Sequence, residues 1–223
     1  MTKIESSDYH DYVIKNGKLI GEFEQMYENS ATIPWHQDEQ ENWIDVLLTI
    51  AFLKSKKAFF RMVDYGSGTG HYLDILIRNL DAQEGIGFDV SATATRKAKE
   101  LFPELNFRTA NLMIKDEKQF LLNPIFQSTL HVIRGTLWYV FPKMETVVEN
   151  IYTQVGPNDS LLVVQNFPPL NSSFVGKEVI PNPKILIQHF VAKGFDLESH
   201  IWYEQHKENS NDSWFIGLFK KEK

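Results

Sequence analysis

The chain has 223 residues, of which 43% are hydrophobic and 13% aromatic, so it is long and apolar enough to fold as one domain with a full core. It contains no cysteine, which excludes disulfides and thiolate metal ligands, and we expect no metal site. The formal net charge of −6 argues against a nucleic-acid partner. The polar start at 1–12 and the lack of a run of about 20 apolar residues predict a cytoplasmic protein with no membrane partner.

Residues 1–37 predict an irregular N-terminal arm, because turn signals occur at Asn16-Gly17 and Pro34. The next segment, 38–56, is predicted to be a helix, since its apolar residues recur at spacings of three and four. The residues on this apolar face are Ile44, Leu47, Leu48, Ala51 and Phe52.

Beyond residue 56 the chain alternates between apolar strands and amphipathic helices. Strands are predicted at 58–65, 84–90, 105–111, 128–135 and 160–167. Helices are predicted at 71–80, 91–102, 144–155 and 183–194, and a closing antiparallel pair of strands at 196–206 and 213–221. This order predicts an α/β fold, a Rossmann-like doubly wound sheet of about seven strands, mostly parallel, with helices on both faces. In such a sheet the functional site lies at the carboxyl ends of the strands.

The stretch MVDYGSGTGHYLDIL, residues 62–76, joins the first of these strands to the next helix through three glycines. Gly66, Gly68 and Gly70 follow Asp64, and a second acid, Asp89, ends the next strand. Glycines let the backbone approach a ligand closely, although such a turn also occurs without a ligand. An acid at the end of the second strand is placed to accept both hydroxyls of a ribose. The two features together favour a nucleoside-containing ligand.

Two features of this turn oppose a dinucleotide. The fingerprint G-x-G-x-x-G fails at its third glycine, where His71 stands, and Asp64 would repel a pyrophosphate at the start of the helix. Asp64 would instead attract an ammonium group, and S-adenosylmethionine carries an ammonium, a sulfonium and an adenosine but no phosphate. We therefore expect S-adenosylmethionine as the cofactor. An NAD-type oxidoreductase and a non-catalytic S-adenosylmethionine-binding protein stay open as alternatives.

The stretches VDYGSGTGHYLDIL, GIGFDVSATATRKAKELFP and NFRTANL resemble the first half of class I S-adenosylmethionine-dependent methyltransferases. The likeness in element order covers residues 40–223 and implies a methyltransferase domain at 38–223, whose last strand runs against the others. It implies that Asp89 binds the ribose and that Asn111, where the family commonly has Asp, binds the adenine edge through its amide. The full set of cofactor-binding residues expected on this basis is Tyr27, Trp35, Gln37, Asp64, Gly66, Ser67, Gly68, Asp89, Val90, Asn111, Leu112 and Arg134.

The arm at 1–37 has two interpretations. Its aromatic residues can pack over one end of the sheet for burial alone. In similar methyltransferases that act on small molecules, such a segment covers the cofactor. That likeness implies a lid in which Tyr27, Trp35 and Gln37 exclude water from the site of transfer.

Transfer to a hydroxyl or an amine invites a general base. The catalytic candidates include His36 in the arm and Tyr139, which stands where the family often has histidine. Arg134, at the end of the fourth strand, is a third candidate, either as a structural ion pair or as a binder of an anionic acceptor. Gln165 and Asn166, at the end of the fifth strand, can bind a polar acceptor. We expect methyl transfer to a small polar metabolite or sugar derivative.

Overall fold

The structure is a computed structural model, and it describes residues 8–125, 127–204 and 213–222. The strands in these residues, β1–β9, are Ile14–Lys15, Lys18–Leu19, Arg61–Tyr65, Glu84–Asp89, Asn106–Thr109, Thr129–Arg134, Ser160–Phe167, Phe195–Tyr203 and Ser213–Lys221. The α-helices, α1–α7, are Phe23–Asn29, Ile44–Lys54, His71–Leu80, Ala92–Leu101, Leu137–Val140, Met144–Gln154 and Pro183–Val191. Short 3-10 helices occur at Tyr9–Tyr12, Pro34–Asn42, Glu117–Phe120 and Phe141–Lys143.

Within the described residues, seven strands form one sheet in the order β5-β4-β3-β6-β7-β9-β8. Neighbouring strands from β5 to β7 are parallel, and β9 runs antiparallel to both β7 and β8. The chain builds outward from β3 to β5 and then returns to β6 on the other side of β3. A crevice opens where this direction reverses, at the carboxyl ends of β3 and β6. The predicted Rossmann-like sheet with an antiparallel last strand is confirmed.

Alternate residues along each strand face opposite layers of helices. In β3, Met62 packs in one core with Val46 of α2 and Leu76 of α3. Its neighbour Val63 packs in the other core with Val148 of α6. Because both faces of the sheet are apolar, both are covered, and the predicted helices on both faces are confirmed.

The helix predicted over 38–56 is wrong at both ends, since α2 covers only Ile44–Lys54. Residues Pro34–Asn42 form a 3-10 segment instead. Inside that segment Trp35 and His36 have φ angles of 55° and 48°, which are left-handed values that no α-helix can contain. The predicted boundary between arm and domain, after residue 37, falls inside this segment and stays a prediction.

The predicted apolar face of this helix is also wrong. Leu47 is 48% exposed, whereas Asp45, Val46 and Ile50 are buried. Asp45 faces inward because its Oδ2 forms an ion pair of 2.7 Å with Nε of Arg134. The inward face of α2 is thus formed by Asp45 together with Val46, Ile50 and Leu53.

The other predicted helices and strands are confirmed, and β3 and β5 are shorter than expected. Ser91 caps α4 as predicted, with its Oγ accepting a hydrogen bond of 3.0 Å from the N–H of Ala94. Asn16 and Gly17 form the turn between β1 and β2. The ends of two predictions, 1–7 of the arm and 205–206 of the strand predicted at 196–206, lie outside the described residues. In the part of the chain that the structure describes, no helix is long and apolar enough to span a membrane.

Candidate functional site

A cavity of about 340 Å³ lies at the carboxyl edge of the sheet. One part, which we call the strand-end half, is lined by residues that follow β3, β4 and β5, namely Gly66, Asp89, Val90, Ala110, Asn111 and Leu112. The other part, the tryptophan half, is lined by residues of the arm, α5 and the ends of β6, β7 and β9, namely Trp35, Trp43, Arg134, Trp138, Asn166 and Trp214.

The glycine turn after β3 needs glycine for two reasons. Gly66 and Gly68 have φ angles of 84° and 55°, which side chains other than glycine rarely adopt. A β-carbon at Gly66 would also collide with Thr136, and one at Gly68 with Gln37. The turn is therefore packed closely by protein side chains as well as lying beside the cavity.

Asp89, at the end of β4, is held in place by backbone donors. The N–H of Gly68 donates to its Oδ2 at 2.8 Å, and the N–H of Ser91 donates to its Oδ1 at 2.9 Å. Burial raises the pKa of Asp89 to about 6, although these hydrogen bonds oppose the rise. Because Asp89 lines the cavity, its carboxylate can accept further hydrogen bonds there.

Asn111, after β5, is also oriented by its own loop. Its Oδ1 accepts a hydrogen bond of 2.9 Å from the N–H of Met113, while its own N–H donates to Oε1 of Gln119. The side-chain NH2 group of Asn111 has no partner among the described residues and is left as a donor beside Val90 and Leu112 in the strand-end half.

A smaller polar cavity of about 30 Å³ lies beneath the glycine turn and contains Asp64 and Ser67. Burial raises the pKa of Asp64 to about 7, the positive charge of Arg134 opposes this rise, and the charge of Asp89 adds to it. Arg134 is fixed by Asp45 and by Gln40, whose Oε1 accepts from Nη1 at 2.6 Å. Nη2 of Arg134 is buried and has no hydrogen-bond partner in the described chain.

The arm lies directly on the glycine turn. Oε1 of Gln37 accepts from the N–H of Thr69 at 2.9 Å and from its hydroxyl at 2.6 Å. Further back, the carboxylate of Glu24 on α1 accepts from both the hydroxyl and the N–H of Thr93 at the start of α4. Tyr27 is buried between these contacts and lines the cavity. The arm thus packs on the domain and also lines the cavity, and its role as a lid stays a prediction.

Trp35 and His36, which are adjacent and both have a left-handed backbone, line the cavity. The Trp35 ring packs against Tyr139 of α5, with ring centroids 5.2 Å apart. Burial raises the pKa of Tyr139 to about 12, so this phenol keeps its proton at neutral pH. This raised pKa argues against Tyr139 as a general base.

Gly68 and two of the chain's histidines, His71 and His131, do not line the cavities. Gly68 lines neither cavity, because Gln37 covers it. His71 begins α3 with its ring near Phe102. His131 is fully buried in the core and hydrogen-bonds through Nδ1 to the Tyr65 hydroxyl at 3.0 Å.

Sequence reasoning missed the residues that give the tryptophan half its character. Four of the chain's five tryptophans, all within the described residues, line this one cavity, and Trp43, Trp138 and Trp214 were not predicted there. They are 95 and 76 residues apart in the chain, so no local motif could join them. The only signal available was the high aromatic content itself.

Comparisons with solved structures identify the fold. The N-methyltransferase NodS from Bradyrhizobium japonicum WM9, solved in complex with S-adenosyl-L-homocysteine, aligns with a TM-score of 0.67 at 13% identity over 89% of this chain and 97% of that one. A SAM-dependent methyltransferase from Anabaena variabilis ATCC 29413 aligns with a TM-score of 0.67 at 14% identity, over 94% of this chain and 98% of that one. The CurJ carbon methyltransferase gives 0.66 at 13% identity over 92% of this chain, which spans only 63% of the CurJ chain.

At such low identity these alignments establish the fold, and the chain has the class I S-adenosylmethionine-dependent methyltransferase fold. No protein-family model matches the sequence, and no curated protein matches it significantly.

Proposed function

We propose that the protein transfers a methyl group from S-adenosylmethionine to a small polar molecule, with a sugar derivative as one candidate acceptor. The observation that carries this proposal is the pair of buried acids around the glycine turn. Asp64 and Asp89 end adjacent strands, and burial raises the pKa of each. Two carboxylates held in this way are stabilised by a ligand that brings positive charge and ribose hydroxyls together.

In this proposal Asp89 binds the ribose and Asn111 binds the adenine. Asp89 is positioned by the N–H groups of Gly68 and Ser91, so its free lone pairs face the hydroxyls without reorganisation. Because Met113 already occupies the oxygen of Asn111, the Asn111 NH2 group would donate to a ring nitrogen of adenine. Val90 and Leu112 form the apolar walls of the adenine site.

The small polar cavity fits the amino-acid end of the same ligand. Asp64 would bind the ammonium group, and the free Nη2 of Arg134 would bind the carboxylate. Ser67, whose buried Oγ lacks a partner among the described residues, offers a further hydrogen bond. The polar groups of this zwitterion are thus matched by polar groups that otherwise stay unsatisfied.

S-adenosylmethionine supplies an electrophilic methyl group on a sulfonium. The chain would orient the reactants and exclude water from them, since Gln37 holds the arm on the glycine turn and Trp35 packs against Tyr139 at the cavity. A hydroxyl or amine acceptor must release a proton, and His36 is placed at the cavity wall to accept it.

The alternative of an NAD-type oxidoreductase is disfavoured by the start of α3. There the backbone N–H of Thr69, which would bind a phosphate, already donates to Gln37, and Asp64 lies close by. A non-catalytic binding protein would bind the same cofactor, so only an assay of methyl transfer distinguishes it from an enzyme.

Calorimetric titration with S-adenosylmethionine, S-adenosylhomocysteine and NADH tests the cofactor. We expect both adenosyl ligands to bind and NADH to bind at least a hundredfold more weakly. NADH binding as tight as that of S-adenosylmethionine would contradict the proposal. Release of S-adenosylhomocysteine with a panel of small acceptors then tests for an enzyme against a non-catalytic binding protein.

A further inference from the structure

We propose that the methyl acceptor is a small molecule with a flat ring and an oxygen atom that accepts hydrogen bonds, and that Asn166 binds this oxygen through its side-chain NH2 group. The oxygen belongs to a carbonyl, carboxylate or ether group. This inference rests on the proposed function and narrows its acceptor.

The orientation of the Asn166 amide follows from its neighbours. Nε1 of Trp138 is shared between the backbone oxygen and Oδ1 of Asn166, both at 3.0 Å, and Nε2 of Gln165 donates to the same two oxygens at 3.2 and 3.1 Å. An indole N–H can only donate, so the atom that faces it must be the amide oxygen. The NH2 group of Asn166 is therefore on the opposite side, where no described residue accepts its hydrogens.

The strand register places the Asn166 side chain in the tryptophan half. Asn166 on β7 pairs with Trp214 on β9, so the two side chains lie on the same face of the sheet. Arg134 on β6 pairs with Val164, two residues before Asn166, and shares that face as well. Asn166 lines the cavity together with Trp138 and Trp214, and its NH2 group is on the side of the amide away from the Trp138 N–H.

The surrounding rings favour a flat acceptor that is not a cation. Indole faces stack well on planar rings. They also attract cations, but here the Arg134 guanidinium already lies 5.4 Å from the Trp214 ring and 5.8 Å from the Trp43 ring. One face of each of these rings thus already carries a cation, so a positively charged acceptor gains less from them. A neutral or anionic ring with an accepting oxygen suits both the indoles and the NH2 donor.

The test measures binding of two isosteric probes by ligand-detected NMR, with the protein saturated with S-adenosylhomocysteine. Acetophenone has a carbonyl oxygen where α-methylstyrene has a CH2 group, and methyl glucoside represents a sugar. We expect acetophenone to bind about fivefold more tightly than α-methylstyrene, which is the effect of one neutral hydrogen bond. The glucoside is expected to bind most weakly.

The Asn166→Asp variant keeps an oxygen for Trp138 and Gln165 but replaces the NH2 donor with a second oxygen. We expect the dissociation constant of acetophenone to rise about tenfold, with little change for α-methylstyrene and for S-adenosylhomocysteine. The matched control Asn111→Asp lies in the strand-end half and is expected to change the affinity for S-adenosylhomocysteine instead.

Three results would overturn the inference: equal affinity for acetophenone and α-methylstyrene, tighter binding of methyl glucoside, or an unchanged acetophenone affinity in Asn166→Asp. Failure of the proposed function has a different signature, namely that the parent protein does not bind S-adenosylhomocysteine. The probes would then be titrated into the protein alone, where the same affinity order still decides this inference.

Discussion

The two halves of the cavity are built in different ways. In the strand-end half, Asp89 and Asn111 are each oriented by backbone N–H groups within their own or a neighbouring loop. In the tryptophan half, Asn166 and Arg134 are oriented mainly by side chains from distant parts of the chain, such as Trp138 and Asp45. Backbone donors cannot be changed by substitution, whereas each side-chain partner can. The comparison predicts that substitutions of neighbouring residues leave ligand binding in the strand-end half largely unchanged. In the tryptophan half, similar substitutions are expected to change which acceptor binds.

Loss of Asp89 tests the strand-end half most strongly. We expect Asp89→Ala to weaken S-adenosylmethionine and S-adenosylhomocysteine equally, by about a hundredfold, because two charge-assisted hydrogen bonds of about 1.5 kcal/mol each are lost. Titration calorimetry at matched ionic strength measures both constants. Asp74→Ala, which removes an acid from the ion pair with Arg78 on the outer side of α3, is the control. Parent-like affinity in Asp89→Ala would break the assignment of this half.

The pH dependence of stability tests the acids as a pair. The raised pKa values, about 7 for Asp64 and about 6 for Asp89, mean that the folded protein binds more protons than the unfolded chain between about pH 4 and 7. These two groups therefore make the ligand-free protein less stable as the pH rises through that range.

We expect the melting temperature of Asp64→Asn relative to the parent to increase as the pH is raised from 5 to 8. S-adenosylmethionine should bind the parent about tenfold more tightly at pH 8 than at pH 5.5, because it favours the ionised carboxylates. Differential scanning calorimetry and titration at several pH values measure the two effects. A constant difference in melting temperature across this range would show that Asp64 does not titrate there.

Asn111 should matter less than Asp89. The Asn111→Ala variant loses one neutral hydrogen bond to the adenine, worth about 1 kcal/mol, so we expect the dissociation constant of S-adenosylmethionine to rise about fivefold. The acceptor affinity should stay unchanged. A loss of cofactor affinity well above tenfold would show that Asn111 also supports its loop through the hydrogen bond from Met113. Circular dichroism of the variant distinguishes such a structural change from the loss of one contact.

The smallest effect is expected for Trp138→Phe. This change removes the indole N–H that orients Asn166 but keeps an aromatic ring, and Gln165 still donates to the same oxygen. We expect the Michaelis constant for the acceptor to rise about threefold, with the affinity for S-adenosylmethionine unchanged. If cofactor affinity fell as much as acceptor affinity, the two halves would not be separate sites.

The strand-end half could be predicted from sequence because its parts are local. Asp64, the glycines and Asp89 all lie within 64–89, and the parallel pairing of β3 with β4 brings them together. The tryptophan half could not be predicted in this way. Asp45 and Arg134 are separated by 89 residues, and no local pattern in the sequence shows that these two residues pair.

The bounds of the arm were unpredictable for another reason. Trp35 is not a residue type that favours a left-handed backbone, and no local signal marks the 3-10 segment, so the helix is predicted to begin at residue 38 instead of 44. Contacts to Tyr139 and to the glycine turn, through Gln37, hold the segment in this shape. Such contacts are tertiary and have no counterpart in local propensity.

The left-handed pair at Trp35 and His36 also bears on how this fold would respond to laboratory evolution. Each such residue costs on the order of 1 kcal/mol or more of folding free energy. At the exposed His36, a library selected only for heat resistance would accumulate glycine, and the imidazole at the cavity would be lost together with the strain. Trp35 would be kept, because its ring packs against Tyr27 and Tyr139 and this packing outweighs the strain. In the proposed function His36 accepts a proton, so selection for heat resistance and selection for turnover would favour different residues at this one position.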